Sequence, residues 1–301
     1  MKPVRLRVRG VALPVAHGQP LLMGVVNASP ESFSDGSEVA TLDRQLARAR
    51  ALLDGGADLL DVGGESGVTN RPAISAEEEI ARVLPLVREL VAAGAVVSVD
   101  TWKAPVAAAA LDAGAHIVND VSGLADPSIA ELCARHGSGL VVMHTRAAPK
   151  VKAFPRYGDV AADVVRFLAQ RTAQATKRGL APEQVILDPG PDFAKTPAET
   201  VMVLRQLRAV VALGRPVLLA VSRKDFVGAI TGCPPRQRLA GTLAAIGEGV
   251  DAGAAILRVH DVAAVADYLA VRRALRGEVE VDPGLRLPEA LRRAPPGNGT
   301  H

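Results

Sequence analysis

Short, nearly uninterrupted apolar runs alternate with longer amphipathic stretches along most of this chain. Leu21-Leu22-Met23-Gly24-Val25-Val26 is the first run. A polar loop follows it, then a helical pattern over about 43–55 that stops at Gly55-Gly56, where glycine suits the left-handed C-cap. Asp58-Leu59-Leu60-Asp61-Val62 is the second run. The helix after it opens on Glu77-Glu78-Glu79, carboxylates that suit the positive end of a helix dipole. The same unit predicts further strands near 95–99, 115–118, 139–143, 184–188, 216–221 and 254–259. Helices are predicted near 104–113, 127–136, 159–178, 197–212, 236–252 and 261–276.

The strands read as continuously apolar rather than alternating, as parallel strands covered on both faces do. Eight such units in roughly 260 residues match a (β/α)8 (TIM) barrel, an α/β fold, in one domain over 21–276. A doubly wound open sheet is the rival, but the first strand is not followed by GxGxxG. Residues 1–20 contain an alternating segment (Val4, Leu6, Val8, then Val11, Leu13) that predicts a small hairpin under the barrel. Residues 277–301, rich in Pro, Gly and Arg, read as a flexible tail.

Chemistry in this fold sits at the C-terminal ends of the strands. There the chain places Asn27, Asp61 with Glu65 just beyond, Asp100, Asn119-Asp120, His144 after Met143, Asp188, Ser222-Arg223-Lys224, and Arg258 with His260. Asp61 and Asp120 read equally well as helix caps. His116 and His136 read as structural, whereas His144 and His260, each directly after an apolar strand, read as functional. Arg258 lies among apolar neighbours, so its charge calls for a partner or a bound anion. Acceptors (Asp100, Asn119, Asp188) thus face cations (Lys224, Arg258, His260). Such a ring suits a flat, amide-rich heterocycle with an anionic tail: a carboxylate pairs with an aminopyrimidinone edge, and an arginine stacks on its face.

Composition narrows the classes. Apolar residues make up 49% of the chain and aromatics only 3%, so the core must be aliphatic. Thirty-five basic against 32 acidic residues give +3, too small and too dispersed a surplus to argue for nucleic acid. Cys133 and Cys233 lack metal or CxxC spacing and read as reduced thiols. No apolar run reaches membrane-span length, and the N-terminus lacks a signal-peptide core, so a cytoplasmic protein without a membrane partner is expected. Zinc-ligand spacing and nucleophile–base pairs are not legible.

The rim segments together resemble the dihydropteroate synthase family. The matching segments include Met23-Gly24-Val25-Val26-Asn27-Ala28-Ser29-Pro30, Asp61-Val62-Gly63-Gly64-Glu65-Ser66, Ser98-Val99-Asp100-Thr101 and Val118-Asn119-Asp120. Val142-Met143-His144, Leu187-Asp188-Pro189-Gly190, Ser222-Arg223-Lys224 and Leu257-Arg258-Val259-His260-Asp261 continue the ordered set across about 21–262. The resemblance implies a transferase of folate biosynthesis that joins dihydropterin-CH2-pyrophosphate to p-aminobenzoate and releases pyrophosphate. It implies pterin contacts from Asp100, Asn119, Asp188 and Lys224. Arg258 would pack on the pterin and, with His260 and Asn27, receive the pyrophosphate. Mg2+ would sit near Asn27, Met143 and Phe193 would line the substrate cleft, and Asp100, Lys224, Arg258 and His260 would carry the catalysis. A mobile lid over 28–38 and a homodimer are also implied.

Three departures fall where the second substrate would sit. The family's Thr-Arg-Pro-Gly after Glu-Ser is replaced by Gly67, Val68, Thr69 and Asn70, with Arg71-Pro72 displaced. Its serine after Ser-Arg-Lys is Asp225, and its glycine-rich phenylalanine loop reads Pro191-Asp192-Phe193-Ala194-Lys195-Thr196. Alternatives to the synthase are therefore a pterin-binding paralogue with altered or no p-aminobenzoate activity, or a related pterin-dependent methyltransferase. The Arg258/His260 anion pocket argues against the methyltransferase.

Overall fold

The computed structural model describes residues 6–16, 18–28, 38–65, 69 and 72–292, and side chains of the first helix from residue 42 onward. Residues 29–37 of the expected lid and Gly67, Val68, Asn70 and Arg71 lie outside the described residues.

A hairpin, β1 (Leu6–Val8) and β2 (Val11–Leu13), precedes eight parallel strands. These are β3 (Leu21–Asn27), β4 (Leu59–Gly63), β5 (Val97–Asp100), β6 (Ile117–Asp120), β7 (Gly139–Met143), β8 (Val185–Asp188), β9 (Leu218–Leu219) and β10 (Ile256–Val259). Between them run α1 (Glu38–Asp54), α2 (Ala76–Ala92), α3 (Ala104–Asp112), α4 (Ser128–His136), α5 (Val160–Lys177), α6 (Pro197–Arg205), α7 (Leu207–Val211), α8 (Asp225–Thr231) and α9 (Leu239–Ala252), with α10 (Val262–Leu275) last. The ladder runs β8-β7-β6-β5-β4-β3-β10-β9. A parallel bridge between Leu187 and Val217 closes it, with the Leu187 N–H donating to the Pro216 carbonyl at 2.9 Å. The sheet therefore closes into a barrel.

The chain divides into two compact units, residues 1–266 and 267–301. In the first, Leu6, Val8 and Leu13 of the hairpin join Leu21, Met23, Leu59, Ile117, Val141, Ile186 and Leu218 in one buried aliphatic cluster. Gly139 permits this plug, because a Cβ there would stand 2.7 Å from a Val8 methyl. The second unit, considered by itself, exposes Leu275, Leu285, Leu287 and Leu291.

Two helices differ from the pattern. The stretch predicted as one helix over 197–212 is interrupted at Gln206, and α8 is an additional helix that hydrophobic periodicity missed. With only 7 residues, one of them Gly228, α8 offers too few turns to show a period. It begins directly after Lys224, whose extended backbone serves as its N-cap residue.

Candidate active site

Register already aligns part of the rim. Asn27 stands beside Gly63, Gly63 beside Asp100, and Asp100 beside Asn119, so three of the expected residues share one row across β3 to β6. Met143 stands beside Asp188 in the same way. Asn27 is exposed at the end of its strand, whereas Met143 is buried.

Arg258 is the hub. Its Nε donates to Asp61 Oδ2 at 2.6 Å and its Nη2 to Asp100 Oδ2 at 2.8 Å, while Asn119 Nδ2 donates to the same Asp61 oxygen at 3.0 Å. Asp61, one of the residues that read equally well as a cap, is fully buried and belongs to the site. The sequence signal for it was Arg258 itself, an embedded cation in need of an anion. Burial acts against the guanidinium charge, but Asp61 and Asp100 outweigh it and hold Arg258 firmly protonated. Burial pushes Asp100 up to about 7, with Arg258 opposing and Asp61 reinforcing the shift. Two buried acceptors in this cluster, Asp61 Oδ1 and Asn119 Oδ1, have no donor among the described residues. Buried acceptors ordinarily find a partner, so the cluster calls for one from a ligand or water.

Asp188 and Lys224 face this hub. Asp188 Oδ1 accepts the Gly190 N–H at 2.7 Å, and burial raises its carboxyl against the pull of Lys224, Lys195 and Arg258. Lys224 Nζ lies 4.3 Å from the Phe193 ring centre, and burial lowers its ammonium against the pull of Asp192 and Asp188. The loop carrying Phe193 is held from behind. Lys195, fully buried, donates to the carbonyls of Gly190 at 2.8 Å, Phe193 at 3.1 Å and His144 at 3.3 Å. Asp192 and Ala194 flank Phe193 with left-handed φ of 65° and 51°. Those angles cost backbone energy that the lysine's three bonds help offset.

His260 stands beside Arg258 and Lys224 but does not add a third positive charge, contrary to the sequence expectation. Its Nδ1 lies 2.9 Å from Ser222 Oγ, and Arg48 from α1 donates to its carbonyl at 2.7 Å. Burial, then Arg258 and Arg223, push the imidazole down to about 4, so it is neutral at pH 7. Ser222, which the sequence places at its strand end without a role, is buried behind it.

Several rim candidates have other duties. His144 is not a pocket residue: it is fully buried, with Nε2 3.1 Å from Asp163 on α5 and its ring edge-on to Phe167 at 5.0 Å. Asp120 is a turn cap, accepting the N–H groups of Ser122 at 2.7 Å and Leu124 at 2.9 Å. Glu65 and Glu79 are both clamped by Lys103, at 2.7 and 2.6 Å, so Glu79 serves an ion pair rather than a helix dipole. His116 and His136 take structural partners, the Val97 N–H and the Leu132 carbonyl.

The His144 burial has a measurable consequence. Burial pushes its imidazole from 6.5 down to about 3, whereas the unfolded chain protonates near the ordinary value. Between those pH values the unfolded chain binds a proton that the folded chain refuses. Acid therefore destabilises the fold through this group, by about 1.4 kcal/mol per pH unit at the steepest. Urea unfolding from pH 7 to 4 should show a shallower acid limb in His144→Phe than in the wild type. Equal slopes would remove His144 as the acid-sensitive group.

On the second-substrate side, Asp225 turns outward. Its side chain is 84% exposed and pairs with Arg238 Nη1 at 3.1 Å. Arg238 Nη1 also donates to the carbonyls of Arg223 at 2.9 Å and Lys224 at 3.2 Å. Asp192 sits nearer the helix start, accepting the Phe226 N–H at 3.2 Å.

Comparison with known proteins agrees with this geometry. Residues 23–260 match the family of pterin binding enzymes. The dihydropteroate synthase of Bacillus subtilis is 40% identical over 248 residues, 82% of this chain and 85% of that protein. The dihydropteroate synthase of Xanthomonas albilineans, solved with 4-aminobenzoic acid, superposes with a TM-score of 0.85 at 40% identity, covering 91% of this chain and 99% of that one. That of Thermus thermophilus, in complex with 6HMPPP, gives 0.78 at 40% identity over 90% and 99%. A rim of carboxylates around one half-buried arginine, on a barrel matched over most of its length, places this chain in the dihydropteroate synthase family of pterin-binding enzymes.

Proposed function

We propose that the chain condenses dihydropterin-CH2-pyrophosphate with p-aminobenzoate and releases pyrophosphate. The observation that carries this is the Asp61–Arg258–Asp100–Asn119 cluster, which joins donor-hungry acceptors to a half-buried cation within one rim. The acceptors and Asp188 suit the amino and N–H edge of a pterin, and relatives solved with 4-aminobenzoic acid and with 6HMPPP support both halves of the reaction. As pyrophosphate departs, positive charge develops on the pterin methyl group, where the Asp100 carboxylate stabilises it. Arg258, Lys224 and neutral His260 stabilise the departing anion. The amine then attacks the cation and sheds its surplus proton to solvent, a step that needs no strong base because the electrophile is already charged.

Mg2+ is part of the proposal. Groups of three or more His, Cys, Asp or Glu that would cage a metal are absent among the described residues. Mg2+ instead commonly uses one or two protein oxygens, waters and substrate phosphates, and the exposed Asn27 amide fits that role. When bound, the ion neutralises pyrophosphate charge. No helix of the described residues is long and apolar enough to cross a membrane, and Cys133 and Cys233 are free thiols, which supports a cytoplasmic location. A homodimer is proposed from family membership, and light scattering on the purified protein at twice the chain mass checks it.

The decisive assay follows pyrophosphate and dihydropteroate from purified protein, dihydropterin pyrophosphate and Mg2+, with and without p-aminobenzoate. Stoichiometric products only with p-aminobenzoate are expected. Tight pterin binding without dihydropteroate would move the assignment to a paralogue using another amine. One observation favours that second reading: the Asp192 carboxylate at the Phe226 N–H supplies the start of α8 with an anion of its own. Asp225, by contrast, is exposed and paired, so its field at the cleft is screened. Asp225→Ser should therefore lower the Michaelis constant for p-aminobenzoate by no more than about fivefold, the equivalent of ~1 kcal/mol. A tenfold or larger fall would show that Asp225 faces the substrate.

A further inference from the structure

Ser222 and His260 meet through one oxygen. Ser222 Oγ lies 2.9 Å from the imidazole Nδ1 and 3.2 Å from the backbone N of the same histidine. A hydroxyl has one proton to give and lone pairs to accept with. The backbone N–H can only donate, so Oγ accepts there. Were Nδ1 also to donate, the hydroxyl proton would have no acceptor among the described residues, and Nε2 would present a lone pair. Donation from the hydroxyl to Nδ1 satisfies the serine, Nδ1 and the backbone N–H together and leaves the ring proton on Nε2 for a ligand.

We propose that Ser222 is a positioning residue that locks His260 in the Nε2–H tautomer, making a neutral imidazole a hydrogen-bond donor toward the anionic leaving group. The inference rests on the proposed reaction, in which His260 faces pyrophosphate. Its surroundings make the tautomer matter. Arg258, Arg223 and Lys224 already crowd the ring with positive charge, with Asp261 paired to Arg223. Another cation is disfavoured there, so the ring must act neutral, and a neutral ring donates from Nε2 in only one of its tautomers. In the other, a lone pair would confront the phosphate oxygens. The pair is held in place from both sides. Arg223, at a left-handed φ of 58°, donates its N–H to Thr242 Oγ1 at 3.1 Å, and Arg48 grips the His260 carbonyl.

The test reads the tautomer directly. In protein labelled with 15N at its six histidines, His260 is assigned by the signal lost in His260→Gln. The wild type should show a pyridine-like Nδ1 and a pyrrole-like Nε2 for His260. Ser222→Ala should give a mixture of tautomers and lower kcat/KM for the pterin pyrophosphate about tenfold, with p-aminobenzoate KM little changed. Ser222→Thr, which keeps the hydroxyl, should restore both. A wild-type Nδ1–H tautomer, or an unchanged tautomer in Ser222→Ala, overturns the inference. The expected tautomer together with normal pyrophosphate release by His260→Gln would uphold the lock but overturn the leaving-group role.

Discussion

Arg258→Met should stop turnover and lower the unfolding free energy by about 3–5 kcal/mol, the usual consequence of stranding buried ionic partners. Asp61 is fully buried and Asp100 largely so, and both lose their cation when the guanidinium is removed. Methionine fills most of the volume, so the loss is electrostatic rather than a cavity effect. Loss of fold and loss of chemistry are separable by a second substitution. Arg258→Met combined with Asp61→Asn removes one of the stranded charges and lets the amide bond to Asn119. The double variant should recover a substantial part of the stability yet remain inactive. Equilibrium denaturation and the pyrophosphate assay check the two halves. Full stability in the single variant would mean that the Asp61–Arg258–Asp100 bridge contributes little. Activity in the double variant would take Arg258 out of catalysis.

Asp188→Asn should weaken pterin binding roughly ten- to hundredfold, as expected for losing a hydrogen bond to a charged group worth about 1.5–3 kcal/mol. The carboxylate uses Oδ1 to hold the Gly190 N–H, and among the described residues Oδ2 makes no hydrogen bond. That second oxygen meets the donor edge of the pterin in the proposed complex. Asparagine keeps an oxygen for Gly190, so the turn into the Phe193 loop survives and the melting temperature should hardly move. At the other position it presents either an uncharged acceptor or a donor facing donors. Calorimetric titration with a pterin and thermal unfolding together decide the matter. Unchanged affinity would remove Asp188 from the site, and a large loss of stability would show that the carboxylate serves the fold instead.

Much of this was legible before any coordinates. The eight strand–helix units, and Asn27, Asp100, Asn119, Asp188, Lys224, Arg258 and His260 at their ends, follow from local information. An apolar run reports a buried strand, and the residue that closes it lies at the rim. Glycines such as Gly56, Gly94, Gly114 and Gly253 mark the units because each takes a positive φ just past a helix.

Partners across the barrel were a different matter. Asp61 read as well as a cap because nothing nearby in sequence shows that its acceptor duty is to Arg258, 197 residues away. His144 follows its strand just as His260 does, yet one ring turns outward to Asp163 on α5 and the other remains beside Ser222 and the cations. Asp225 looked like a charge facing the substrate until α8, too short to show a period, pointed it at Arg238. Lys195 gave no sign of being a buried clamp, since the carbonyls it binds gather only when the loop takes its left-handed turns. The barrel and the residues that close its strands were readable from the chain alone, because periodicity and strand ends are local. Only the tertiary structure decided which of them face one another, because a charged side chain's role is set by the partner that closure of the barrel brings within hydrogen-bonding distance.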